Sequence, residues 1–264
     1  MENIEYLEQQ LAERGWEHLK AELAEKINSG VTEFSLYTNT DGQPNRLDFE
    51  LQFKKHAEKP VYYFNRINAA LVNGDEVLSQ ASFRESWKMA PEEMGRILEY
   101  GSKVAVYKEG LLNEERKPFN AWISVHTEEP LKEDGTLNLN LYHDNYYQKH
   151  HFNLEVEVSK LPASILEQYK GKESILTTSL KHGILVPVEQ VNGNGPEPYF
   201  LTVNAKVGRI DVLDSEMESV SLTKQPEITQ QTEQTTAGEK KNSFSKGQQV
   251  RSNPGNQNRN RPHM

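Results

Sequence analysis

Histidines are the most reactive side chains in this sequence, and five of the eight lie between positions 126 and 182. The segment from His143 to His151 combines three imidazoles with one carboxylate, Asp144, which are ligand types that bind Zn²⁺. Because His150 and His151 are adjacent on an extended segment, their side chains point to opposite faces, and only one of them can join His143. We therefore predict no metal site. The five histidines are His126, His143, His150, His151 and His182.

The sequence contains no motif for nucleotide binding or nucleophilic catalysis. The glycine-rich run from Gly193 to Pro196 joins two predicted strands and does not open a helix, so it is no phosphate loop. Glu92 and Glu93 follow Pro91, where they favour the positive end of a helix. No cysteine is present, which excludes thiolate chemistry. We predict a protein that is not an enzyme and has no cofactor and no small-molecule substrate.

Aromatic residues are the remaining candidates for recognition. Tyrosine and tryptophan side chains beside basic residues such as Arg66 can stack on single-stranded bases, and they are also enriched in protein-binding surfaces. In strands, packing alone favours the same residues. The predicted binding surface consists of Tyr62, Tyr63, Trp122, Tyr142, His143, Asn145, Tyr146 and Tyr147.

Charge divides the chain into an acidic body and a basic tail. Residues 223–264 carry seven basic and three acidic side chains, a net charge of +4, so the overall charge of −9 leaves −13 for residues 1–222. The tail is rich in Gln and Asn and poor in apolar groups, and we predict that it is disordered. It is either a solubilising tail or an arm that contacts nucleic acid through Lys240, Lys241, Lys246, Arg251, Arg259 and Arg261.

Three glycines, Gly30, Gly101 and Gly183, organise the body. Apolar residues lie three and seven positions before each glycine, which is the spacing of one helical face, and glycine is favoured after a helix end. Alternating apolar residues follow each glycine and predict strands. The second strands begin about 16 to 18 residues after each glycine, near Leu47, Phe119 and Tyr199. The third strands are predicted over Val61 to Val72, Leu137 to Tyr142 and Gly208 to Leu213.

This pattern predicts an α+β fold of three related units, each a helix, a glycine and three antiparallel strands. An extra strand is predicted from Asn153 to Val158, and a linker from Ser79 to Met89 with Trp87 in the core. The predicted domains are residues 1–80 (an N-terminal helix plus unit 1), 81–160 (unit 2), 161–222 (unit 3) and the tail 223–264.

The N-terminal segment is acidic where a secretory signal requires a basic start and an apolar run. The longest apolar stretches, Ala69 to Val72 and Ile184 to Val188, are far shorter than a membrane span. We therefore predict a cytoplasmic protein without membrane contact.

The middle of the chain resembles a family of uncharacterised proteins, a domain of unknown function, encoded in bacterial mobile and conjugative elements. Members carry similar motifs, and the resemblance covers most of residues 1–220 and implies a setting beside DNA-processing partners. It is carried by Ile97-Leu98 with Gly101 and Val104, Phe119-Asn120-Ala121-Trp122, and Tyr142-His143-Asp144-Asn145-Tyr146.

These observations predict a non-enzymatic binding or adaptor protein that is accessory to a mobile element and acts through a protein partner. One alternative is nucleic-acid binding through the basic tail and exposed aromatics. Another is an acidic protein that mimics DNA and inhibits a DNA-binding enzyme. A single sequence leaves these three open, because it does not show which side chains share a face.

Overall fold

The computed structural model describes residues 2–40, 45–126, 128–147, 152–189 and 198–220. The compact unit spans Met1–Thr223. The predicted disordered tail, its six basic contact residues, and His150 and His151 lie outside the described residues. No helix in the described part of the chain is long and apolar enough to cross a membrane.

Two helices cover one face of the first sheet. Leu7 and Leu11 of the first helix and Leu23 of the second are buried, as the helical spacing predicts. They pack in one core with the inward residues of the strands, among them Phe49 and Leu51. The elements are α1 (Asn3–Ala12), α2 (Lys20–Asn28), β1 (Glu33–Thr40), β2 (Arg46–Lys55), β3 (Tyr62–Asn73) and β4 (Glu76–Arg84), with sheet order β1-β2-β3-β4.

Strand β4 corrects the predicted linker from Ser79 to Met89. It pairs with β3 in antiparallel register after a tight turn at Gly74-Asp75. Its inward residues, Ala81 and Phe83, are buried, but small and polar residues surround them and weaken the alternation that marks a strand. The first sheet therefore has four strands instead of three.

The middle sheet follows a helix that ends at Gly101, and both of its faces are buried. Val104 and Val106 belong to the core of the first sheet, whereas Ala105, between them, belongs to a second core. In the same way, Ile123 belongs to the core of the first sheet and Trp122 belongs to the second core. The elements are α3 (Pro91–Tyr100), β5 (Val106–Leu112), β6 (Pro118–Val125) and β7 (Leu139–His143), with sheet order β5-β6-β7.

The third sheet packs with three short helices around the second core. The elements are α4 (Leu154–Ser159), α5 (Ala163–Gln168), α6 (Glu173–Lys181), β8 (Val186–Val188), β9 (Tyr199–Asn204), β10 (Arg209–Leu213) and β11 (Ser219–Val220), with sheet order β11-β10-β9-β8.

Helix α4 shows that the strand predicted from Asn153 to Val158 was wrong. The Asn153 side chain accepts a 2.9 Å hydrogen bond from the Val156 backbone N–H, which is an N-cap. Leu154 and Val158 are buried on one helical face, and Val156 is half exposed on the other. The alternating valines resembled a strand, but the cap and the i, i+4 pair favour the helix.

Helices and three antiparallel sheets confirm the α+β fold. The sheets have four, three and four strands among the described residues. That the three helix–glycine–sheet segments are copies of one unit stays a prediction.

Candidate functional site

Four of the eight residues of the predicted binding surface are buried and do not form a surface. Tyr62, Trp122, Tyr142 and Tyr147 are 3–4% exposed. The Tyr62 hydroxyl donates to the backbone oxygen of Val31 at 2.8 Å, and that of Tyr147 donates to a backbone oxygen at 2.5 Å. Trp122 and Tyr142 were expected at the surface as aromatic side chains for recognition, although packing in strands favours the same residues. Here the second core covers both side chains.

The other four residues of the predicted surface are exposed. Tyr63 lies on β3, and His143 is the last residue of β7. Asn145 and Tyr146 follow in the short 3-10 helix from Asp144 to Tyr147. Three of the four exposed residues are therefore adjacent at one end of the middle sheet.

Of these residues, His143 lines a groove between the last strand of the first sheet and the last strand of the middle sheet. The Leu137 backbone N–H donates to the Gln80 backbone oxygen at 2.8 Å, which joins the two sheets at one point. Beyond this bond lies a groove of about 600 Å³, which we name the β4–β7 groove. Its lining includes Arg66, Ser82, Arg84, Trp87, Leu111, Leu112, Phe119, Lys132, Leu141 and His143.

The groove lining combines three cations with apolar side chains. None of Arg66, Arg84 and Lys132 forms an ion pair with a carboxylate of the described residues. Glu114 is the one acidic residue in the described lining. Trp87, Leu139 and Leu141 of the lining are partly buried and pack against the first core. The groove therefore fits an anionic partner that also has apolar groups.

Next to the groove, a second depression of about 840 Å³ shares His143 and Phe119 with it. The rings of these two residues are 4.6 Å apart. Asp144 accepts hydrogen bonds from the Asn120 amide at 3.2 Å and the Tyr107 hydroxyl at 3.4 Å. Burial, and then the charge of Asp144, raises the pKa of Tyr107 to about 12. This network fixes the turn that carries His143.

A third depression, of about 530 Å³, lies on the open face of the first sheet. The Glu50 carboxylate accepts hydrogen bonds from the Asn68 amide and the Ser35 hydroxyl, each at 2.7 Å. These bonds hold the pKa of Glu50 below its ordinary value. Asp48 is paired with Arg46 in the same depression. The bonds are internal, and they stiffen the sheet surface.

A buried carboxylate, Glu93, joins α3 to β5 and to the end of α6. Glu93 has a side chain that is 2% exposed and accepts hydrogen bonds from the Ala90 backbone N–H at 2.8 Å and from His182 Nδ1 at 2.7 Å. It also forms an ion pair with Lys108 of β5. The sequence predicted the role of Glu93 at the helix start, but its pairing with His182 comes from the tertiary fold.

The described histidines do not converge on a metal. No group of three or more His, Asp and Glu side chains in the described ranges is placed to hold a metal ion. His126 follows β6, His143 ends β7 and His182 follows α6, where it is hydrogen-bonded to Glu93.

Sequence reasoning missed Arg84, Lys132 and the groove-lining role of Trp87. Trp87 is half-buried and packs against the first core, as predicted, and it also forms a wall of the groove. Arg84 and Lys132 are 48 positions apart, and no local pattern relates them. No sequence signal marked them, because Arg84 is followed by Glu85 and Lys132 is surrounded by acidic residues, among them Glu129 and Glu133.

No family model, curated protein or solved structure matches this chain. The resemblance to proteins of mobile elements therefore stays a prediction. Function has to be inferred from the groove and its surroundings.

Proposed function

We propose that this chain is a non-enzymatic binding protein that holds an extended acidic segment of a partner protein in the β4–β7 groove. The proposal rests on one observation, which is that three cations without ion-pair partners in the described part of the chain share the groove lining with apolar side chains. The rest of the body is acidic, with −13 over residues 1–222. The groove lining, with three cations and one carboxylate, is thus opposite in charge to the body as a whole, and this favours an acidic ligand.

The side chains in the groove are suited to binding. The guanidinium groups of Arg66 and Arg84 are hydrogen-bond donors with a planar fork that matches a carboxylate. Arg66 donates to the Ser82 hydroxyl at 3.3 Å, which orients it at the groove wall. Phe119 and the exposed Leu112 supply apolar contacts, and the cations mainly affect association rate and specificity.

A protein segment fits these observations better than nucleic acid. A single strand of nucleic acid needs a continuous basic track and several exposed aromatic rings. Trp122 and Tyr142, two of the rings expected to stack on bases, are buried. A short acidic peptide needs only the groove, and it avoids the repulsion between a long phosphate chain and the acidic body. The setting in a mobile element rests on the family resemblance and belongs to the proposal.

Charge reversal in the groove tests the proposal. The probe is a fluorescein-labelled octapeptide of alternating Glu and Val, and its binding to the full chain is measured by fluorescence anisotropy. Exposed ion pairs contribute about 0.2–1 kcal/mol each, and reversal adds repulsion, so Arg84→Glu with Lys132→Glu should weaken binding about tenfold. The matched control is Lys170→Glu with Lys172→Glu, exposed positions that undergo the same change in net charge.

The two double variants separate the groove from general electrostatics. Equal affinities of the groove and control variants would contradict the proposal. A single-stranded oligothymidine that binds more tightly than the peptide, and loses affinity in the groove variant, would favour the nucleic-acid alternative. Peptide binding that disappears only when residues 223–264 are removed would move the site to the tail.

A further inference from the structure

The middle sheet has an open edge along β7. The His126 backbone N–H donates to the Asn138 backbone oxygen at 2.7 Å, so the backbone groups of Asn138 point to β6. In an antiparallel pair these directions alternate from residue to residue. The backbone groups of Leu139, Leu141 and His143 therefore point away from β6, to the edge that borders the β4–β7 groove.

No other strand of the described residues occupies this edge. The order of the middle sheet ends at β7, and Leu137–Gln80 is the one backbone bond between the segments of β7 and β4 in the described ranges. The Leu141 N–H is covered by the side chain next to it, because Asn140 Oδ1 accepts from it at 2.9 Å. Natural proteins cover exposed edges in such ways to prevent unwanted pairing.

The other two sheets show what the edge lacks. In the first sheet a fourth strand, β4, pairs with the third strand, and in the last sheet β11 pairs with β10 in the same place. The middle sheet stops at its third strand among the described residues. The vacant fourth position lies along the groove, beside Arg84 and Lys132.

We infer that the acidic segment of the partner binds as an added β-strand, which takes the fourth position of the middle sheet along β7. This inference rests on the proposed function and specifies how the same groove is used. Backbone hydrogen bonds to Leu139, Leu141 and His143 supply affinity, and side chains that alternate along the segment supply specificity. One set of side chains carries carboxylates toward Arg84 and Lys132, and the other set packs on Phe119.

Amide hydrogen exchange of the full chain tests the pairing directly. With the alternating Glu-Val octapeptide bound at saturation, the N–H groups of Leu139 and His143 should exchange at least tenfold more slowly. The N–H groups of Asn138 and Tyr142, which already point to β6, should change much less. Peptide binding with unchanged exchange at Leu139 and His143 would overturn strand addition and leave the proposed function standing.

Two N-methylated forms of the peptide give a second test, because an added strand bonds β7 through every second residue. Methylation of one alternate set of amides should weaken binding at least tenfold, and methylation of the other set should weaken it less. Equal affinity of both forms and the parent peptide would overturn strand addition. Failure of the parent peptide to bind would instead overturn the proposed function.

Removal of the side chain that covers the edge should strengthen binding. Asn140→Ala frees the Leu141 N–H for the added strand, and we expect the dissociation constant to fall about threefold, since a hydrogen bond contributes about 0.5–1.5 kcal/mol net. The control is Asn39→Ala, the same change at an exposed strand position in the first sheet. Unchanged or weaker binding in Asn140→Ala, with the control at wild-type affinity, would overturn this role of the edge.

Discussion

Replacement of Glu93 by glutamine should destabilise the fold strongly, although the two side chains have the same shape. The Glu93 side chain is 2% exposed, and that of its partner Lys108 is 14% exposed. The amide of glutamine still offers one oxygen to the Ala90 N–H, so the helix cap is retained. The replacement removes the negative charge that compensates the ammonium of Lys108. It also removes a carboxylate oxygen that accepts a hydrogen bond from His182.

The expected loss is about 3 kcal/mol in the free energy of unfolding. Removal of one partner from a buried ion pair typically costs about 3–5 kcal/mol, because the other charge stays buried and unpaired. The lower end applies here because the His182 side chain is 52% exposed and regains water. For a unit of this size, about 3 kcal/mol corresponds to a fall in Tm of about 6–12 °C.

Urea unfolding followed by circular dichroism measures this loss, and Glu92→Gln is the control. Glu92 is exposed on the same helix turn, so its replacement should change the free energy of unfolding by less than about 0.5 kcal/mol. Lys108→Met in the Glu93→Gln background removes the stranded ammonium and should recover at least about 1 kcal/mol. A loss below about 1 kcal/mol for Glu93→Gln, or no recovery with Lys108→Met, would refute the reasoning.

Three further predictions concern the backbone conformation at Gly183, the carboxylate of Glu50 and the phenol of Tyr107. Gly183→Ala should lower the free energy of unfolding more than Gly30→Ala in urea melts: both have positive φ, but only at Gly183 would a Cβ lie 3.0–3.1 Å from neighbouring atoms. Asn68→Ala should raise the pKa of Glu50 in a ¹³C NMR titration. The hydrogen bond from Asn68 lowers the pKa of Glu50 in the folded state, so it stabilises the fold only while Glu50 is ionised. The variant should therefore lose more free energy of unfolding at pH 7 than at pH 2. Tyr107→Phe should remove one ionisation near pH 12 from the ultraviolet titration and leave the curve below pH 10 unchanged.

Local sequence patterns predicted an element correctly where one of its faces is buried and the other is exposed to solvent. The second strand predicted to begin near Leu47 is β2, and the predicted N-terminal helix is α1. In such elements the periodicity of burial equals the periodicity of the backbone. Strand β4 was not predicted from the sequence. Its outward residues and its small inward Ala81 weaken the difference in hydrophobicity between its two faces.

The candidate site was predicted only in part. His143, Asn145 and Tyr146 were named from the sequence and lie exposed at the end of β7, next to the groove. Arg84 and Lys132 were not named, because the sheets that bring them together are joined by long-range contacts such as the bond from Leu137 to Gln80. No spacing along the chain encodes that contact.

The sequence by itself determined most of the secondary elements, though not β4 or α4, and it determined the acidic body and the α+β class, because these depend on neighbours within a few residues or on composition. Tertiary structure decided what covers each face. Trp122 and Tyr142 alternate with apolar residues as surface residues do, but the second core buries them. A period of two distinguishes the two faces of a strand and does not show what packs on either, so the open edge of β7 and the groove beside it emerge only when the sheets are assembled.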